Sequence, residues 1–210
     1  MINIVTVNCQ SSIKIEGEKT IYFDPLKIEE NHDADYIFIT HTHWDHFSKE
    51  DILKIKKDNT KIIGPTDIKE DCLTMNFQEQ NIITTIPGEN LTIDNIAIHT
   101  VPAYNKDKQY HPKTNNWLGY VATINNTTYY IMGDTDALSE NENLNCDYLF
   151  VPIGGTYTMD AKEAAEFTNK INPKKVIPIH YGLVVGTRND LEIFKNLLNK
   201  NIEIEEKIMI

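Results

Sequence analysis

Three histidines and a carboxylate, His41, His43, Asp45 and His46, fall within six residues of the run Thr40-His41-Thr42-His43-Trp44-Asp45-His46-Phe47-Ser48. Neutral imidazole nitrogens and carboxylate oxygens are hard-to-borderline ligands, suited to Zn²⁺, Mn²⁺ or Fe and not to Cu(I). In extended backbone His41, His43 and Asp45 point one way and His46 the other, so one short loop can serve two neighbouring ions. A merely polar loop is a poor account of this cluster, because the whole chain holds only seven histidines.

The elements around the loop must put it at a useful place. The apolar run Tyr36-Ile37-Phe38-Ile39 just before it reads as a buried strand. The cluster then lies beyond the strand's C-terminal end, where α/β sheets hold their ligands. Asp134 follows the apolar stretch Tyr129 to Met132 and His180 follows Val176 to Ile179, so both stand at the same kind of position. Alone, an Asp or a His after a strand is usually a turn or a satisfied polar group. With the first cluster, they complete a candidate dimetal site.

The rest of the pattern alternates accordingly. Ile2 to Val7, Ser12 to Ile15 and Thr20 to Phe23 read as a β-meander that ends at Phe23-Asp24-Pro25. Ser48 with Asp51 resembles a capping box opening a short helix expected to end near Asp58-Asn59. Lys61 to Gly64 reads as a strand, and Pro65 suits the start of the next helix. Ile82 to Ile86, Leu91 to Ile93 and Ile96 to Val101 are further strands. Asn125-Asn126 is a two-residue hairpin signal between Gly119–Ile124 and Thr127–Met132. Asp160 with Glu163 caps a helix reaching Lys170, and Asn189-Asp190 opens a helix with Leu191, Phe194, Leu197 and Leu198 on one face. Strand-rich stretches followed by alternating strand and helix occur twice, which implies an α/β protein with two sheets and helices packed outside them. No linker or repeat interrupts it, so residues 1–210 are expected to form a single domain.

The H-x-H-x-D-H pattern, Gly133-Asp134-Thr135-Asp136 and Ile179-His180-Tyr181-Gly182 together resemble the metallo-β-lactamase fold superfamily. Gly154-Gly155-Thr156-Tyr157-Thr158-Met159 is similar to the branch of small, cap-less hydrolases that includes L-ascorbate-6-phosphate lactonase. The resemblance runs from about Ile21 to Gly186 and implies a four-layer αββα sandwich with a metal site at one rim. It implies that His41 and His43 hold one ion, that Asp45, His46 and His180 hold the second, and that Asp134 bridges them. Two divalent ions are thus expected, Zn²⁺ or Mn²⁺ foremost, with Fe and Ni open.

Two departures from the family stand out. It usually carries a histidine near Cys9-Gln10, and none is here. It also places a third histidine for the first ion after the strand matching Ile96–Val101, where this chain reads Pro102-Ala103-Tyr104-Asn105. His111 is the substitute that could reach back, as a third ligand or as a substrate contact; His99, inside the strand, reads as a core or surface residue.

Two dications lower the pKa of a bound water toward about 7 and polarise the oxygen under attack. Asp45 is the candidate catalytic residue, placed to orient that water or take its proton. The chemistry expected is metal-dependent hydrolysis of a small phosphorylated or carboxylated metabolite, a lactone among the candidates. His111, Lys113 and Tyr157 are the candidate substrate contacts, Lys113 as a cation for a phosphate or carboxylate. The alternatives are a phosphodiesterase or nuclease on the same scaffold and a non-catalytic metal-binding module.

Composition narrows the partners. A net charge of −11 repels a polyphosphate backbone, which argues against nucleic acid. No apolar run approaches the roughly 20 residues needed to span a bilayer. The N-terminus lacks the marks of a signal peptide, and the three cysteines are odd in number and widely spaced. A cytoplasmic protein acting on a small molecule is expected, and the resemblance alone allows a homo-oligomer.

Overall fold

The computed structural model describes residues 3–208. The chain divides into two compact units, Met1–Ile86 and Pro87–Ile210.

The first unit is built on a six-stranded sheet in chain order. Strands β1 (Ile4–Val7), β2 (Ile13–Glu16) and β3 (Thr20–Phe23) form an antiparallel meander. Ile2, expected to open the first strand, lies outside the described residues. Strands β4 (Ala34–Phe38), β5 (Lys56–Pro65) and β6 (Ile82–Thr85) then add in parallel. Parallel neighbours need crossovers, and helices α1 (Lys49–Ile55) and α2 (Lys69–Thr74) supply two of them. Ile52 and Ile55 of α1 and Cys72 of α2 join one buried cluster with Ile37, Ile39 and Ile62.

Helix α1 stops at Ile55, short of the expected Asp58-Asn59, and the polar stretch after it belongs to β5. The reason is a side chain: Thr60 Oγ1 donates to the Ala34 carbonyl (2.6 Å) and accepts from Lys57 N–H (2.7 Å). It carries the strand past the register shift between Ala34 and Tyr36. The capping box at Ser48 is half formed. Ser48 accepts from Asp51 N–H as expected, but the Asp51 carboxylate accepts from the N–H groups of Lys27 and Ile28, each at 2.9 Å.

The second unit carries a seven-stranded sheet. Strands β7 (Asn90–Ile93), β8 (Ile96–Pro102), β9 (Leu118–Ile124) and β10 (Thr127–Ile131) are antiparallel neighbours. Asn125 and Asn126 both adopt left-handed backbone (φ 49° and 61°), the conformation a tight β9–β10 hairpin demands. Strands β11 (Tyr148–Pro152), β12 (Lys175–Ile179) and β13 (Glu203–Ile204) continue in parallel beside β10. Strand β11 has no counterpart among the expected strands, although its apolar run Tyr148-Leu149-Phe150-Val151 is buried almost throughout. Helix α3 (Ala161–Ile171) opens on the full capping box of Asp160 and Glu163. Helix α4 (Arg188–Leu197) opens on a second box, Thr187 with Asp190, and buries Leu191 and Phe194, while Leu197 is exposed.

Candidate metal centre

Strand β4 delivers the chain to Thr40 and the histidine loop. N–H groups of His46 and Phe47 both donate to the His43 carbonyl (3.0 and 2.8 Å), a tight turn that brings Asp45 and His46 back toward His41. His41, Asp45 and His46 are buried, His43 is half-buried, and Trp44 is exposed.

The ring orientations follow from Asp24, which is fully buried at the end of β3. Its carboxylate accepts from Thr40 N–H (2.8 Å), Thr40 Oγ1 (2.7 Å) and His46 Nδ1 (2.7 Å). Burial pushes the Asp24 carboxyl above its ordinary range, and the His46 ring and the Thr40 bonds pull the other way. A carboxylate can only accept, so the proton of a neutral His46 sits on Nδ1 and leaves Nε2 as the ligating atom. That Nε2 faces Asp45 Oδ2 at 3.6 Å.

Thr40 spends its hydroxyl proton on Asp24 and therefore accepts from His41 Nδ1 (3.0 Å). His41 Nε2 then faces His43 Nδ1 at 3.1 Å. Two nitrogens at ~2.0–2.1 Å from one tetrahedral cation stand roughly 3.3 Å apart, so this pair fits a shared ion.

The second unit holds a matching group. Asp134 follows β10 through Met132 and Gly133; His180 follows β12 directly, in left-handed backbone (φ 56°). Asp134 Oδ2 lies 2.9 Å from His180 Nε2 and 3.4 Å from His111 Nε2, and all three residues are buried. Gly154 passes so close that a Cβ there would stand 2.3 Å from the His180 carbonyl oxygen, which explains a glycine at that point of the 154–159 stretch.

His111 is fixed by Asn105. The Asn105 amide nitrogen donates to Asp136 Oδ1 (3.1 Å) and to the Tyr157 carbonyl (2.8 Å), so its oxygen must be the atom facing His111. That oxygen accepts from His111 N–H (3.2 Å) and Nδ1 (3.0 Å), which leaves Nε2 of the neutral ring toward Asp134. Asp136 is itself held by Lys106 N–H (2.8 Å) and the Lys108 ammonium (2.5 Å).

The remaining candidates stand apart. Lys113 is exposed, and its ammonium pairs with Glu140 Oε1 (3.2 Å) and Tyr104 Oη (3.2 Å); these bonds hold it above its ordinary pKa. Tyr157 is half-buried with its ring against Tyr110, and its carbonyl serves Asn105. His99 bonds Asn90 Oδ1 across β7 and β8 (3.0 Å). Sequence reasoning missed Asp24, Asn105 and Asp136 as supporting groups. The first had read only as a strand end and the second as the place of a lost histidine.

Known proteins bear on this donor set. A model of the beta-lactamase superfamily domain matches residues 5–180. The chain belongs to the metallo-β-lactamase superfamily. A UPF0173 metal-dependent hydrolase of Thermococcus onnurineus is 33% identical, over 92% of this chain and 91% of its own. Another, of Nanoarchaeum equitans, is 32% identical over 93% and 96%. A crystallised protein of Parabacteroides distasonis has a TM-score of 0.83 at 26% identity, covering 99% of this chain and 94% of that one. The metallo-β-lactamase fold protein YhfI of Bacillus subtilis, at 13% identity, has a TM-score of 0.72 over 96% and 91%. This superfamily member is a metal-dependent hydrolase of α/β fold, with two mixed sheets and helices. Its clustered imidazole and carboxylate donors suit divalent metal ions.

Proposed function

We propose that this hydrolase holds two divalent ions, Zn²⁺ or Mn²⁺, and hydrolyses a small phosphorylated or carboxylated metabolite, with a lactone as the leading candidate. In this proposal, which follows the family resemblance, His41 and His43 would serve one ion and Asp45, His46 and His180 the other. Asp134 would be shared, and His111 would be a third ligand of the first ion or a substrate contact. The observation that carries it is the orientation of His46 by Asp24 and of His111 by Asn105, each ring holding its proton on Nδ1. Buried imidazoles that hydrogen-bond through one nitrogen and offer the other are arranged as metal ligands are. The family match runs from residue 5 to 180 across both units, which supports reading the chain as one functional domain.

Bound there, the ions would supply a hydroxide at neutral pH and polarise the attacked carbonyl or phosphoryl oxygen. Asp45 would orient that water or take its proton, and Asp24, bonded to His46 Nδ1, would keep the Nε2 of that ring turned away from itself. The lactonase-like reading rests on the resemblance of the 154–159 stretch, and Lys113, exposed and paired with Glu140 and Tyr104, adds no support to it. The net charge of −11 favours a small-molecule substrate over nucleic acid. Cys9, Cys72 and Cys146 are free thiols, which suits a reducing cytoplasm. No helix among the described residues is long and apolar enough to cross a membrane.

The test is elemental analysis of the purified chain, then turnover of a panel of lactones and phosphodiesters with added Mn²⁺ or Zn²⁺. Two ions per chain and lactone turnover lost in Asp134→Asn are expected. Phosphodiester turnover alone would favour a phosphodiesterase; two ions without turnover would favour a binding module.

A further inference from the structure

Gln10 lies in the turn between β1 and β2, which Ser12 N–H closes by donating to the Cys9 carbonyl (2.8 Å). The residue is fully buried and its backbone is left-handed (φ 49°), a conformation that glycine adopts at lower cost. Its Nε2 donates to Asp45 Oδ2 at 3.2 Å, between two buried side chains. The amide cannot be turned round, because a carboxylate oxygen needs a donor. Its Oε1 is then left buried with no hydrogen-bond partner.

A packing role does not account for this residue. An apolar side chain of the same length would fill the space and remove the cost of an unsatisfied buried acceptor. A residue that breaks local rules in two ways at once, in backbone and in polarity, belongs where function demands it.

We propose that Gln10 is a positioning residue for Asp45 in the metal centre. The inference rests on the proposal that Asp45 is a ligand. The neutral amide holds the carboxylate toward His46 Nε2, which faces the same Oδ2 at 3.6 Å. It does so without neutralising the charge, whereas a lysine or arginine at this place would pair with Asp45 and weaken its pull on a cation.

Cobalt(II) is the probe. The metal-free full chain, as wild type, Gln10→Met and Gln10→His, is titrated with Co²⁺ and followed by visible absorption and calorimetry, with thermal unfolding of each metal-free form. Gln10→Met is expected to weaken one of two sites by about 10–100-fold and leave the other unchanged. Its metal-free Tm is expected to stay close to that of the wild type, because losing the unsatisfied acceptor offsets losing the donor to Asp45. Gln10→His, whose ring N–H can still reach Asp45, is expected to recover most of the affinity. Unchanged affinity at both sites in Gln10→Met overturns the proposal, as does an equal loss at both with a lower metal-free Tm. No recovery in Gln10→His also overturns it, even where the Met variant fails to fold. A wild type that takes up no Co²⁺ overturns the dimetal reading itself, and this inference with it.

Discussion

Asp24 shows how one buried carboxylate can govern a loop it does not belong to. Three donors, two from Thr40 and one from His46, converge on it. An isosteric amide keeps one acceptor oxygen and turns a donor toward the others. Asp24→Asn is therefore expected to weaken metal binding by about 10–100-fold, the usual effect of losing a ligand's outer partner. Competition with a chromophoric chelator measures it, and an affinity within twofold of wild type would show that Thr40 alone sets the ring. Asp24 was invisible as a functional residue in the sequence, where Phe23-Asp24-Pro25 is only a strand end. Its partners are 16 and 22 positions away.

At the scale of elements, helix α1 illustrates a local signal redirected by tertiary structure. Ser48 and Asp51 have the types and spacing of a capping box, and Ser48 behaves accordingly. Asp51 instead fastens the 27–28 segment to the helix, by two backbone N–H donors and with Ser48 Oγ (2.7 Å) and Lys54 (3.1 Å) on the same carboxylate. Burial pushes its pKa up, but the bonds from Ser48, Ile28, Lys27 and Lys54 outweigh that and hold it below the ordinary range. A carboxyl with a lower pKa folded than unfolded stabilises above its unfolded value, and that contribution is lost as pH falls through the folded value. Asp51→Asn should therefore cost about 1–3 kcal/mol at pH 7, with the gap to wild type closing below about pH 4. Urea unfolding at pH 7 and pH 3 checks both parts; an equal gap at the two pH values would assign the loss to packing.

For the whole molecule, metal and stability are linked, since an ion that binds only the folded chain stabilises it by mass action. At free ion 100-fold above Kd the gain is about 2.7 kcal/mol per site. Chelation should lower the Tm of the wild type, and Zn²⁺ or Mn²⁺ should restore it. In His180→Ala the restored increment should shrink, as differential scanning calorimetry would show; a full increment in that variant would remove His180 from the ligand set.

The sequence alone carried the candidate ligand types, their places after β4, β10 and β12, the two-fold alternation of strands and helices, and the superfamily. All of these are written locally: apolar runs set the strands, and the residues just beyond them are neighbours in the chain. It also held β11 in the apolar run Tyr148-Leu149-Phe150-Val151, but not the length of β5 or the surroundings of Gln10, Asp24, Asn105 and Asp136. Those depend on hydrogen bonds between residues far apart in the chain. A polar side chain shows what it can donate or accept, and only the folded backbone decides which partner stands within 3 Å.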